Sequence, residues 1–334
     1  MNGYNTRHRG RAPAVFGRRV LSVLALAGAT SALSAVGAGA AVRAPSVNTG
    51  GASNIGPTTA VVHGAVNPQG QATNYVFQYG PTKAYGAQSS FVAIGNRTSA
   101  ITLSRAIGGL RPNAVYHYRI VANSVGGVTH GLDRAFTTRK LPLSLQISGA
   151  PNPVLFSDPF TVQGTLSGTG GAGRVVALQA NPFPYLGGFK TLGNPEVTNS
   201  VGGFSFPVFG LSTNTQLRVV TTSAPFISSP VLVEGVAVRV TFHIHRVHRN
   251  RHGRFYRMYG TVAPAEVGAR VGFQLLRPGL SSLNKGGTFV RSGTPTVSQF
   301  STVVRIRHGG LYQALVQVAD GAHVSAYSTP IRIR

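Results

Sequence analysis

Beyond residue 42 the apolar positions recur every second residue, in short runs, and helical spacing is almost absent. Thr59–Val66, Asn74–Tyr79, Tyr116–Ala122 and Arg134–Thr138 each alternate apolar and polar residues. Successive side chains of a strand point to opposite faces, so such runs predict half-buried strands. In Tyr75-Val76-Phe77-Gln78-Tyr79 the three aromatics share one face, which is predicted to pack into a core. The chain's 43 Gly and 20 Pro punctuate the runs. Turn signals recur about every 8–12 residues, the spacing of a β-sandwich. The pattern predicts an all-β chain, and 334 residues suffice for several cores.

Leu110-Arg111-Pro112-Asn113-Ala114-Val115-Tyr116-His117-Tyr118-Arg119 fits the run L-x-P-x-x-x-Y-x-[YF]-R. Together with Thr59–Pro68, Tyr75–Gly80 and a last strand over Ala135–Thr138, it makes residues 57–138 resemble a fibronectin type III domain. The resemblance implies that Tyr116 is the tyrosine corner, its phenol bonded to backbone at the entry to the sixth strand. It also implies a spacer or adhesion module rather than chemistry. The Trp common in the family's early strand is absent, so other apolar residues must fill that volume.

The remaining chain reads as a repeat. Gly164-Thr165-Leu166 answers Gly260-Thr261-Val262, and Val176-Ala177-Leu178-Gln179 answers Val271-Gly272-Phe273-Gln274. Phe189, Gly193, Pro195 and Val197 answer Phe289, Gly293, Pro295 and Val297. A period near 100 residues predicts tandem immunoglobulin-like sandwiches, and both copies resemble the bacterial immunoglobulin-like modules of secreted actinobacterial proteins. The expected organisation is a signal segment over 1–40, a fibronectin type III-like domain over 41–142, and immunoglobulin-like β-sandwiches over 143–236 and 237–334. Short linkers near Arg139–Pro142 and Gly235–Ala237 should join three tandem β-sandwich domains into a jointed rod.

The amino end departs from this pattern. Arg7, Arg9, Arg11, Arg18 and Arg19 precede an uncharged stretch over 20–42, and Ala38-Gly39-Ala40 offers a small-residue cleavage site. That order reads as a secretory signal peptide, with a retained membrane anchor as the alternative, and Arg18-Arg19-Val20-Leu21 resembles a twin-arginine export motif. No later apolar run is long enough to span a membrane. A secreted or cell-surface location is expected.

Charge narrows the partners. The chain has 31 Lys+Arg against 6 Asp+Glu, a formal charge of +25. Removing the five arginines of the amino end leaves +20. Such a surface attracts polyanions. The expected partner is an anionic cell-envelope polymer or polysaccharide, with no specific nucleic acid, because no nucleic-acid fold motif is present.

The densest basic run is Arg239–Arg257, where Arg or His fills ten of 19 positions and no acid offsets them. Phe242 and Ile244 should face inward, with His243 and His245 outward. Asn250-Arg251-His252-Gly253 reads as the turn of a hairpin. Arg239, Arg246, Arg249, Arg251, Arg254 and Arg257 are the predicted polyanion contacts, with Tyr256 and Tyr259 as interleaved stacking faces. The H-x-H pair has the spacing of a metal site, but the surrounding arginines oppose a dication, so a solvated basic face is expected and no metal. Phe183, Tyr185 and Phe189, on a loop, are candidate carbohydrate contacts.

Catalysis finds little support. Beyond the amino end the acids are Asp133, Asp158, Glu196, Glu234, Glu266 and Asp320, the chain has no Cys, and no nucleophile, metalloprotease or phosphate-loop motif occurs. Gly168–Gly173 opens no helix and reads as a hairpin loop. A non-enzymatic protein without a cofactor is expected, its function structural or adhesive, or alternatively that of a polysaccharide-binding accessory module.

Overall fold

The computed structural model describes residues 42–334 apart from His252, Pro278 and Gly279. The expected signal segment lies outside the described residues. Among those residues there is no α-helix, and none that is long and apolar enough to cross a membrane. The fold is all-β, with three pairs of facing sheets in tandem.

In the first sandwich, β1 (Ser46–Ser53), β2 (Ala60–Asn67) and β5 (Ile101–Ile107) form one sheet in the order β1-β2-β5. The other is built on β3 (Thr73–Gly80) and β6 (Val115–Ser124). It is flanked by β4 (Val92–Gly95) on one side and by β7 (Gly127–His130) and β8 (Arg134–Thr137) on the other. This division of consecutive antiparallel strands between two sheets is that of a fibronectin type III or immunoglobulin-like fold. Tyr75 and Phe77 are buried and Tyr79 packs against the same cluster, as the alternation predicts. Val62, Val66, Tyr118 and Ile120 are among the residues that fill that core in place of a Trp.

The second sandwich sets β9 (Ser144–Ala150), β10 (Phe160–Ser167) and β12 (Gly203–Val208) against β11 (Val175–Pro182), β13 (Thr215–Thr221) and β14 (Leu232–Glu234). In the third, β15 (Arg239–Val240), β16 (His243–Asn250), β17 (Gly253–Ala263) and β20 (Ser298–Ile306) share one sheet. Its opposite sheet holds β18 (Arg270–Arg277), β19 (Leu280–Phe289), β21 (Gly310–Gln317) and β22 (Ile331–Ile333). Each sandwich has its own buried cluster.

The repeat is visible in single contacts. Gly164 on β10 and Gly260 on β17 stand at equal places. A Cβ on Gly164 would lie 2.3 Å from the Gln146 carbonyl oxygen and 2.5 Å from the Phe204 ring, and one on Gly260 would lie 2.0 Å from the Thr241 oxygen and 2.7 Å from the Phe300 ring. The Gln179 side-chain oxygen accepts from Arg218 Nε at 2.9 Å, and that of Gln274 from Gln313 Nε2 at 3.1 Å. The first sandwich repeats this bond, from Arg119 Nε to Gln78 at 2.9 Å.

One predicted correspondence fails. Val197 pairs with Val175, and Phe289 pairs with Arg270. Val175 and Arg270 each precede the matched Val176 and Val271, so Phe289 occupies the pairing place of Val197, not that of Phe189. Turn residues had aligned the two stretches. In the structure the third sandwich covers this edge with the long strand β19, while the second uses two short strands, Lys190–Thr191 and Glu196–Val197.

The linker between the second and third sandwiches is embedded. Val236 belongs to the second core, and Ala237 and Val238 belong to the third. Val154 and Leu155 pair in parallel with Val236 and Ala237.

Candidate functional site

The basic hairpin of the third sandwich is β16 and β17, and β20 pairs along the far edge of β17. Cross-strand partners share a face. His243 is opposite Tyr259, which is opposite Ser301. His245, Arg257 and Val303 form the next rung. Val247 is a bulge, and beyond it His248, Phe255 and Arg305 form the third rung. These nine side chains lie on the outward face, because the alternate residues Tyr256 and Met258 are buried. The His243 and Tyr259 rings are 5.4 Å apart, and His248 stacks on Phe255 at 4.6 Å.

At the base of this face lies a groove of about 570 Å³. Thr241, His243, Arg257, Tyr259, Arg291 and Gln299 contribute to its walls, and no Asp or Glu does. Arg257 is held in place by an Nε–H bond to the Ser301 hydroxyl at 3.1 Å. The groove therefore combines two guanidinium forks, a half-exposed phenol and neutral hydrogen-bonding groups. That set suits a sugar ring carrying carboxylate or sulfate.

The six predicted arginines do not lie together. Arg257 is on the outward face. Arg246 is opposite the buried Tyr256, and Arg249 is opposite Arg254, so these three project to the other side, at the hairpin's far end. Arg254 donates to the carbonyl of Arg334 at 3.1 Å. Arg251 lies in the turn, whose other residue, His252, is outside the described residues. Arg239 is spent at the junction of the second and third sandwiches. It pairs with Asp158 and donates to the Phe156 carbonyl at 2.9 Å. Tyr256 is core rather than a stacking face, and Tyr259 remains available at 39 % exposure. Arg291 and Arg305 complete the face. They follow the hairpin's last residue, Ala263, by 28 and 42 residues, and the pairing of β20 with β17, with the bridge from Arg291 to Gln299, brings them in.

The aromatic loop is folded onto the protein. Phe183 and Tyr185 meet edge to face at 5.6 Å, the Tyr185 carbonyl accepts from Asn181, and Phe183 lies beside Gly321 of the third sandwich. Phe189 lies under the Arg218 guanidinium at 4.1 Å. In the first sandwich Tyr116 places its hydroxyl to accept the Arg111 N–H at 3.0 Å, five residues upstream. This bond ties the chain's entry into β6 to the preceding turn.

Two acidic clusters escaped the sequence. Asp133 accepts from the Tyr85 hydroxyl at 3.0 Å and is bonded to His117 Nδ1 at 2.9 Å. Burial opposes its ionisation, but these bonds, with the charges of His117 and Lys83, outweigh it and hold the carboxyl below the usual range. Glu266, Asp320 and His323 converge at the junction of the last two sandwiches. His117 alternates with core tyrosines, a signal for an outward side chain but not for its partner.

No known protein family and no curated protein matches this chain in sequence. Among solved structures it is similar to a three-domain segment of titin, at 12 % identity over 87 % of this chain and 99 % of that one, with a TM-score of 0.35. It is also similar to the FN1–FN3 domains of chicken CNTN1, at 13 % identity over 87 % of this chain and 99 % of that one, with a TM-score of 0.29. A tetra-tandem repeat of a large adhesion protein follows at 11 % identity over 86 % of this chain and 74 % of that one, with a TM-score of 0.28. None of these figures bears on ligand or activity.

Proposed function

We propose that this chain is a non-enzymatic exported structural or adhesion protein whose third sandwich holds an anionic polysaccharide. The first two sandwiches then serve as spacers. The observation that carries the reading is the outward face of β16, β17 and β20. It puts His243, Arg257 and Arg291 on the walls of the groove with the half-exposed Tyr259, and carries His245 and Arg305 further along the same face toward the turn. Arg side chains fork onto carboxylate and sulfate, and an aromatic ring supports the sugar plane. Export rests on the amino-terminal pattern of arginines, apolar stretch and Ala38-Gly39-Ala40.

Binding of the full chain to heparin should weaken steeply with salt, as counterions compete for the same charges. Changing Arg257, Arg291 and Arg305 to Ser should lower affinity by at least about tenfold, since a hydrogen bond to a charged group is worth roughly 1.5–3 kcal/mol. Changing Arg246, Arg249 and Arg254, on the opposite face, should cost much less. Equal losses for the two triple variants would assign the attraction to the whole basic surface and remove this site. Duplex DNA binding as well as heparin would show a field effect in place of a sugar-shaped groove.

A further inference from the structure

Two of the six acids outside the amino end meet one imidazole where the second and third sandwiches join. His323 Nδ1 lies 2.7 Å from Glu266 Oε1 and 2.7 Å from Asp320 Oδ2. The three side chains come from two loops of the third sandwich, one following β17 and one following β21. The His323 and Glu266 side chains are only 10 % and 12 % exposed. Burial pushes the Glu266 carboxyl up, the Asp320 charge adds to this, and the imidazole offsets it in part. Among the described residues no Lys or Arg forms an ion pair with either acid.

Further contacts hold the imidazole, the Asp320 carboxylate and the Glu266 backbone in place. His323 Nε2 lies 2.8 Å from the Ser212 carbonyl of the second sandwich. A carbonyl only accepts, so Nε2 carries a proton; Nδ1, 2.7 Å from both carboxylates, shares a proton with them, and an ion bound here would take that proton's place. Asp320 uses its other oxygen, Oδ1, to accept the N–H groups of Ala322 and His323, each at 3.0 Å, which leaves Oδ2 turned toward the ring. The Glu266 backbone N–H is anchored on the Ser298 hydroxyl at 2.9 Å. Asn214 of the second sandwich clamps the same loop, by its N–H on the Ala322 carbonyl at 2.7 Å and its amide on the Gly321 carbonyl at 2.9 Å.

We infer that Glu266, Asp320 and His323 form a binding site for a divalent transition ion of the zinc class, in the loops of the third sandwich that face the second. One imidazole and two carboxylates are borderline donors, and the imidazole disfavours calcium. A carbonyl on the far ring nitrogen is the usual outer support of a metal-bound histidine. Metal–donor distances of about 2.0–2.2 Å place tetrahedral donors roughly 3.3 Å apart. The present spacing of 2.7 Å therefore needs each carboxylate to withdraw by about half an ångström. Such a shift is within reach of side-chain rotation. The two acids supply the negative charge that a +25 chain otherwise withholds from a cation.

Isothermal titration of the metal-stripped full chain with zinc chloride tests this. The expected result is one ion per chain with micromolar or tighter affinity. His323→Ala and, separately, Asp320→Asn should weaken it by about a hundredfold or more, because losing even an outer-shell partner costs 10–100-fold. Asp320→Asn keeps the oxygen that caps the loop, so its fold should survive where His323→Ala also removes the contact to Ser212 at the junction. The pair His243→Ala and His245→Ala should leave the affinity unchanged. Absence of zinc binding would show that the trio is an ion pair held by a proton and would overturn the site. Binding that survives Asp320→Asn but disappears with His243 and His245 would place the ion on the hairpin, with the same consequence.

Discussion

Glu234 shows how far one buried carboxyl can set the pH response of a domain. It is fully buried on β14, and neither of its oxygens has a hydrogen bond. The nearby Val154 N–H is committed to the Gly235 carbonyl at 2.9 Å. Burial pushes the carboxyl up to about 7 from 4.5, which Val154 opposes only in part. An acid raised in the folded state keeps its proton while the unfolded chain releases its own. Stability should therefore be unaffected below pH ~4.5, fall as pH rises toward ~7, and level off above, for a loss of about 3 kcal/mol. Glu234→Gln removes the ionisation, so the variant should be more stable than the parent at pH 8 and lack that slope. Urea midpoints at pH 5 and 8 decide it, and a variant that tracks the parent at both would reject the assignment. Nothing in the run Val231–Val236 shows a carboxyl without partners, since burial of Glu234 depends on strands β9 and β13.

At the level of elements, the glycines of the repeat test whether the two modules are built alike. A Cβ at Gly164 or Gly260 would strike backbone oxygen and a core Phe ring. Backbone atoms in a ladder cannot withdraw. Gly164→Ala and Gly260→Ala should each cost about 2 kcal/mol or more, by overpacking. Gly272, on β18, has nothing within 4 Å of the Cβ position. Its counterpart is Ala177, so Gly272→Ala should be neutral or slightly stabilising, because it restricts the unfolded chain. Thermal melts of the three variants read this directly, and a tolerated Gly260→Ala would mean that the link at Thr241, between β15 and β16, can move aside. The strands themselves were legible because period-two alternation is a local property. The mismatch at Phe289 was not, because edge strands differ in length and turn residues carry no register. The hairpin was legible too, but its two faces were not. The bulge at Val247 and the pairing of β20 decide which arginines stand beside Tyr259.

For the whole molecule, the junction between the second and third sandwiches matters more than its short linker suggests. Asn214 donates to Gly321 and accepts the Val236 N–H at 2.7 Å. Arg239 bridges back to Asp158, and Phe156 donates to Ala237. Asn214→Ala would leave the buried Val236 N–H without a partner, a cost of about 1–3 kcal/mol. The two sandwiches should then unfold in separate steps, and proteolysis should reach residues 235–238 sooner. One cooperative transition with unchanged proteolysis would show that the remaining contacts suffice to couple them.

The alternation of apolar residues, with Gly and Pro between the runs, was enough to determine an all-β chain, the aromatic face of β3 and the repeat across the last two sandwiches. Charge counts alone give the excess of positive charge and with it the expectation of a polyanion partner. Both are sums or short-range patterns that survive without knowing which strands meet. Arg291 and Arg305 beside Arg257, the burial of Tyr256, the orphaned Glu234 and the meeting of Glu266, Asp320 and His323 were decided only by tertiary structure. Each depends on the register between strands far apart in the chain or on the docking of two sandwiches. Those are set by the packing of whole cores, and no local spacing encodes them.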